Sequence, residues 1–129
     1  MASDGAYRPY LPATRPGRRP SERPGYRVLI HRQFKNHYEQ LPSRIGLEQA
    51  QRFWDHLATS PGVMPATAGS CILKGRAGQP SGPGWSRTVH YELSSMARAN
   101  YQYNDAYTGG ALGDPHPVVR ILTLDFSSH

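Results

Sequence analysis

Arg98 stands at the turn of a predicted hairpin, after the strand-like run Arg87–Leu93 and before a second run, Ala99–Tyr103. Alternation puts Tyr101 and Tyr103 on one face of that second strand. A guanidinium is planar and grips two oxygens at once, so an arginine beside aromatics at a hairpin mouth suits a phosphate-bearing substrate. Lys74, Arg76 and Arg87 offer further cations, either for backbone phosphates or as a solvated basic face. His90 and His129 are the candidate acid and base, because imidazole titrates near neutrality. His90 also reads as a polar strand residue, and His129 as an ordinary terminal one. Tyr101 and Tyr103 either stack on bases or pack on the sheet. Asp125 is placed to orient His129 or to pair with an arginine.

Other chemistries find less support. The six histidines (His31, His37, His56, His90, His116 and His129) include no H-x-x-x-H pair, and there is no cysteine pair. Neither a metal site nor a cofactor is expected. Gly75, Gly78, Gly82 and Gly84 precede a strand, whereas a phosphate-cradling loop leads into a helix. The single cysteine, Cys71, forms no internal disulfide, fits a reducing cytosol and reads as a core residue of Cys71-Ile72-Leu73. No apolar run has membrane-spanning length, and the N-terminal stretch lacks the hydrophobic segment of a secretory signal. The expectation is a cytoplasmic protein.

The 129 residues suit one domain, and the net charge of +6 raises the prior for a polyanionic partner. Half of that charge lies in Met1–Gly25, where five arginines face Asp4 and Glu22. This stretch is rich in Pro, Gly, Ala and Arg without apolar periodicity, so a flexible tail is predicted over 1–25 and a folded domain over 26–129. The tail is either a product of composition or a contact for something acidic.

The elements that must position the candidates follow from periodicity. Tyr26–His31 reads as a strand. Arg32–Leu41 repeats Phe34, Tyr38 and Leu41 at helical spacing, and Pro42 is expected to end that helix. Ser43 is expected to cap a second helix up to Thr59, with a stripe of Leu47, Ala50, Phe53, Trp54 and Leu57. Cys71–Lys74 is a short strand, and Arg76–Trp85 an exposed, mobile loop. Arg87–Leu93 and Ala99–Tyr103 form the hairpin, Asn104–Pro117 a long loop, and Val118–Phe126 a central strand. The order β-α-α-β-β-β-β predicts an α+β fold, with a helical hairpin packed on a small antiparallel or mixed sheet.

Several local signatures together resemble the RelE/ParE superfamily of toxin–antitoxin toxins. Val28-Leu29-Ile30-His31 leading to Phe34…Leu41-Pro42 is similar to the family's first strand and helix. Ala50…Phe53-Trp54-Asp55-His56-Leu57 followed by Pro61 resembles its second helix, and Leu73-Lys74-Gly75 its second strand. Tyr91-Glu92-Leu93…Arg98…Tyr101 is similar to the hairpin in which an arginine opens a strand. The resemblance covers roughly residues 26–129. It implies a RelE-like fold and a bacterial toxin, an mRNA interferase that halts translation by cutting mRNA, at the ribosome, without metal.

In that reaction the 2′-hydroxyl attacks the adjacent phosphate. A base, a cation for the phosphorane and an acid for the departing 5′-oxygen are needed. Arg98, His129 and His90 are the catalytic candidates; Lys74, Arg76, Arg87, Tyr101 and Tyr103 are the RNA-binding ones. The implied partners are a cognate antitoxin protein, mRNA and the ribosome, with no membrane and no small-molecule ligand. The same resemblance admits a ParE-like toxin that binds gyrase without nuclease chemistry, or an inactive binding module of the same fold.

Overall fold

Gly46 divides one amphipathic stretch of chain into two helices. Its φ of +94° is a conformation that side-chain-bearing residues rarely adopt, so the chain turns there. In the computed structural model, which describes residues 7, 9–17, 24–65, 67, 69–95, 97–108 and 113–126, helix α1 spans Lys35–Ile45 and helix α2 spans Leu47–Thr59. A 3-10 turn, Arg32–Phe34, leads into α1, capped by His31, whose Nδ1 accepts from the Gln33 amide at 3.1 Å. Pro42 does not end the first helix but lies inside it. A proline there forfeits one backbone bond, and the buried Tyr38 and Leu41 hold the helix through that loss. Ser43 is accordingly no cap; its hydroxyl donates to the Gln40 carbonyl at 2.8 Å. Helix α2 buries Ala50, Phe53, Trp54, Leu57 and Ala58, while Leu47, the first of the expected stripe, is exposed.

The strands are β1 (Tyr10–Pro12), β2 (Arg27–His31), β3 (Cys71–Ile72), β4 (Val89–Ser94), β5 (Ala97–Tyr107) and β6 (His116–Phe126). They form one six-stranded sheet in the order β1-β2-β6-β5-β4-β3. β2 and β6 run parallel and the other neighbours antiparallel. The fold is therefore α+β, with a helical hairpin on one face of a mixed sheet. Val28, Ile30, Tyr91, Ala99, Tyr101 and Ile121 share a core with Phe53, Trp54 and Leu57 of α2. A second, smaller cluster of Tyr7, Tyr10, Leu29 and Val118 lies on the opposite face. Among the described residues no helix is long and apolar enough to cross a membrane.

Four further expectations are corrected. Tyr10–Pro12, placed in the flexible tail, is an edge strand that pairs with β2 from Tyr10↔His31 to Pro12↔Leu29. The chain then continues over the helices. The amide of Ala13 donates to the Val28 carbonyl at 2.9 Å, the Gln51 side chain to the Pro16 carbonyl at 2.9 Å, and Tyr38 to the Thr14 carbonyl. Arg15 grips Asp55 through two bonds of 2.8 and 3.0 Å. The open backbone edge of β2 and the polar tips of buried aromatics recruit this segment, and an apolar period cannot report such needs.

Cys71 is exposed, because β3 is a two-residue edge strand with both residues open. The loop expected to be mobile is pinned to the sheet by the buried Gln102. Its carbonyl accepts from the Ser81 amide at 2.9 Å and hydroxyl at 2.6 Å, and its NH₂ donates to Gln79 O and Thr88 Oγ1, both at 2.9 Å. The long loop over Asn104–Pro117 is also shorter than expected, since β5 continues to Tyr107 and β6 starts at His116.

Candidate functional site

The face of the sheet turned away from the helices carries the chemistry. Alternation along β4 and β5 sends Val89, Tyr91, Ala99 and Tyr101 into the core, so His90, Glu92, Arg98, Asn100 and Gln102 point the other way. On β6, Asn100 pairs with Thr123 and Tyr101 with Ile121, which leaves Leu122 as the extra residue of a bulge. The bulge resets the alternation, and Arg120, Leu122, Thr123 and Asp125 all share this second face.

His90 lies opposite Asn100 in the β4–β5 register, and Glu92 lies opposite Arg98. The imidazole is held at both ends: Nδ1 is 2.8 Å from Asn100 Oδ1 and Nε2 is 2.8 Å from Glu92 Oε1. Two oxygen partners match the two donors of an imidazolium. The Glu92 amide in turn donates to Ser70 Oγ at 3.0 Å, which ties this end of the cluster to the loop before β3.

Arg98 is half-buried between Glu92 on β4 and Asp125 on β6, its cross-strand partners. Among the described residues it makes no ion pair. The structure thus brings Arg98 and His90 onto one face, one cross-strand diagonal apart, with Asp125 on Arg98's far side.

The other candidates are dispersed. Lys74 and Arg76 are exposed at the 3-10 turn Gly75–Gly78. Arg87 clamps that turn: its guanidinium donates to Leu73 O at 3.1 and 3.0 Å and to Gly75 O at 2.8 Å. Those donors serve the fold rather than a phosphate. Tyr101 is fully buried on the helix side, where its hydroxyl donates to Pro61 O at 2.8 Å and burial pushes its pKa up. Base stacking by Tyr101 is thereby corrected to core packing. Tyr103 is half-buried on the same helix side, edge-on to Tyr26 with ring centroids 6.4 Å apart, and does not face His90. His129 lies outside the described residues.

Sequence reasoning missed a second group on this face. The guanidinium carbon of Arg120 lies 4.0 Å from the Trp85 ring centroid, 4.8 Å from Tyr10 and 5.2 Å from Tyr107. Nη2 donates to the Tyr107 hydroxyl at 3.2 Å, while the buried Nε has no partner among the described residues. Nearby, Arg27 donates to the Tyr7 hydroxyl, which bonds His116 Nε2 at 3.0 Å. The signal was an arginine interrupting the longest apolar run of the chain. The partners that make it meaningful come from distant segments.

Among the described residues there is no group of three or more His, Cys, Asp or Glu side chains able to hold a metal ion. A shallow cleft between the N-terminal segment and α1, lined by Pro12, Pro16, Tyr38 and Pro42 among others, contains none of the candidates. Comparison with protein-family models, curated proteins and solved structures yields no match. The face itself carries an imidazole held at both ends, one guanidinium beside it, and a second guanidinium held by aromatics.

Proposed function

We propose that this chain is a RelE-like bacterial toxin, a metal-independent endoribonuclease that cuts mRNA at the ribosome and is held inactive by a cognate antitoxin protein in the cytoplasm. The observation that carries the reading is the placement of His90 and Arg98 on one face of the sheet, with the imidazole oriented by Glu92 and Asn100. His90 gives up its contact with Asn100 on substrate binding and takes the proton of the 2′-hydroxyl on the nitrogen so freed, while Glu92 keeps the other nitrogen in place. The 2′-oxygen then bonds the adjacent phosphorus and the bond to the 5′-oxygen breaks, leaving a cyclic phosphate. Arg98 stabilises the extra negative charge of the phosphorane with two parallel N–H donors. The departing 5′-oxygen takes its proton from a second acid, the role that the resemblance suggests for His129. Glu92 balances the charge that His90 gains.

One observation favours a binding role instead. Arg98 stands between two carboxylates in the register, Glu92 and Asp125, which weakens its pull on a phosphate. A ParE-like gyrase-binding toxin, or an inactive binding module of this fold, requires no cleavage at this face.

Primer extension on a defined mRNA in a reconstituted translation reaction separates the readings. Discrete cuts by the wild type, lost in Arg98→Ala and His90→Gln, support the nuclease; omission of ribosomes reports their role. Intact mRNA with the wild type moves the assignment to binding.

A further inference from the structure

Arginine is among the side chains least often buried without a counter-charge, because desolvating a cation is unfavourable unless pairing compensates. Arg120 breaks that pattern. It reaches from the central strand β6 into a cage of Trp85, Tyr10 and Tyr107, and its Nε is buried with no acceptor among the described residues. Stacking orients the guanidinium but leaves its positive charge unneutralised. Arg27, on the neighbouring strand β2, is likewise held by an aromatic ring, with its Cζ 5.7 Å from the Tyr7 centroid. Among the described residues, neither arginine makes an ion pair. This half of the face therefore has two cations bordered by flat rings and without an ion pair among the described residues, whereas Arg98, also without an ion pair, has carboxylates as its cross-strand neighbours.

We infer that the Arg27–Arg120 half of the sheet is a second subsite that binds single-stranded RNA beside the scissile phosphate, Arg120 and Arg27 taking backbone phosphates and Trp85 and Tyr107 stacking a base. The inference deepens the ribonuclease reading and rests on it for the choice of RNA. Gln102, opposite Arg120 in the register, stands on the same strand and face as Arg98, about 13 Å along at roughly 3.3 Å per strand residue. A strand laid along β5 and β6 meets both positions. Trp85 and Tyr107 are half-buried, so part of each side chain remains at the surface although Tyr107 also packs on Tyr7 and His116. Cations that follow the backbone, interleaved with aromatic platforms, are the general chemistry of single-strand binding.

The test is binding rather than cleavage. Fluorescence anisotropy of a labelled uridine oligonucleotide of about eight nucleotides is measured for the full chain and for Arg120→Gln, Arg27→Gln and Arg98→Ala, each checked for folding by circular dichroism. Arg120→Gln is expected to weaken binding about tenfold and to lower the salt slope by about one. Arg27→Gln, at an exposed position whose loss removes one bond to the Tyr7 hydroxyl, is expected to lower that slope similarly. It decides the matter if Arg120→Gln fails to fold. Arg98→Ala is expected to lose cleavage with a much smaller change in affinity. Wild-type affinity and salt slope in folded Arg120→Gln, or in Arg27→Gln, overturn the subsite while leaving the nuclease standing. RNA binding that depends on these arginines, without mRNA cleavage, keeps the subsite and removes the nuclease. No RNA binding by the wild type overturns the subsite whatever the cleavage assay shows.

Discussion

The indole N–H of Trp54 donates to the carbonyl of Ala13 at 2.7 Å, joining residues 41 positions apart in a buried setting. Through this bond α2 holds the segment that follows β1, and the segment in turn covers the edge of the core. Trp54→Phe keeps most of the ring but strands the Ala13 carbonyl. A loss of about 1–3 kcal/mol is expected for such an unmet acceptor. Urea denaturation measures it, and an unchanged midpoint would show that water replaces the indole.

Gly78 has no room for a side chain. A Cβ placed there lies 1.9 Å from the Leu73 carbonyl oxygen and 2.9 Å from the Arg87 guanidinium. Gly78→Ala must shift the turn that Arg87 clamps, with an expected penalty of about 1–3 kcal/mol, typical of overpacking. A thermal melt equal to wild type would show that the turn gives way freely.

His56 makes stability depend on pH. Burial lowers its pKa, opposed in part by a hydrogen bond that the imidazole donates to the Val63 backbone, and its Nε2 is buried without a partner among the described residues. The unfolded chain takes up the proton first, near the ordinary histidine value of about 6.5. His56 therefore contributes its full stability above that pH and loses it as pH falls through the lower folded value. Urea midpoints at successive pH values should decline below about 6.5, and His56→Asn should flatten that decline. An equal decline in the variant assigns the slope to other groups.

Tyr101→Phe separates packing from recognition. The hydroxyl bonds Pro61 O inside the core, so its removal is expected to lower stability by about 0.5–1.5 kcal/mol and to leave RNA binding and cleavage unchanged. A variant of near-normal stability with weakened RNA binding would place this tyrosine in the site after all.

His90 carries the proton transfer of the proposed reaction. His90→Gln is expected to reduce cleavage by about 10²–10⁴-fold, the usual worth of general acid–base catalysis, with little change in affinity for RNA. Single-turnover cleavage beside anisotropy checks both numbers. An equal loss in the two would make His90 a binding residue.

Much of the scaffold was legible because its causes are local. Phe53, Trp54 and Leu57 recur at helical spacing, and Val89, Tyr91 and Leu93 alternate as a strand does, so both patterns follow from repeat geometry alone. The neighbourhood of His90 and Arg98 was half legible. Alternation determines which strand face each residue takes, but not whether two strands face the same way. Tyr101 shows the gap, since stacking on bases and packing on the sheet both stayed open until the helices were seen to cover its face.

Sequence by itself determined a helical hairpin followed by strands, the excess of positive charge and the set of candidate cations. Only the tertiary structure decided which cations remain available. Arg87 is consumed by carbonyls of its own loop, Arg98 lies between carboxylates, and Arg120 is left charged among rings from three separate segments. The same holds for Tyr10–Pro12, which no local pattern marks as a strand. Its place depends on an unpaired strand edge and on donors such as Trp54 far away in the chain, and unmet hydrogen bonds of that kind exist only once the rest of the fold has formed.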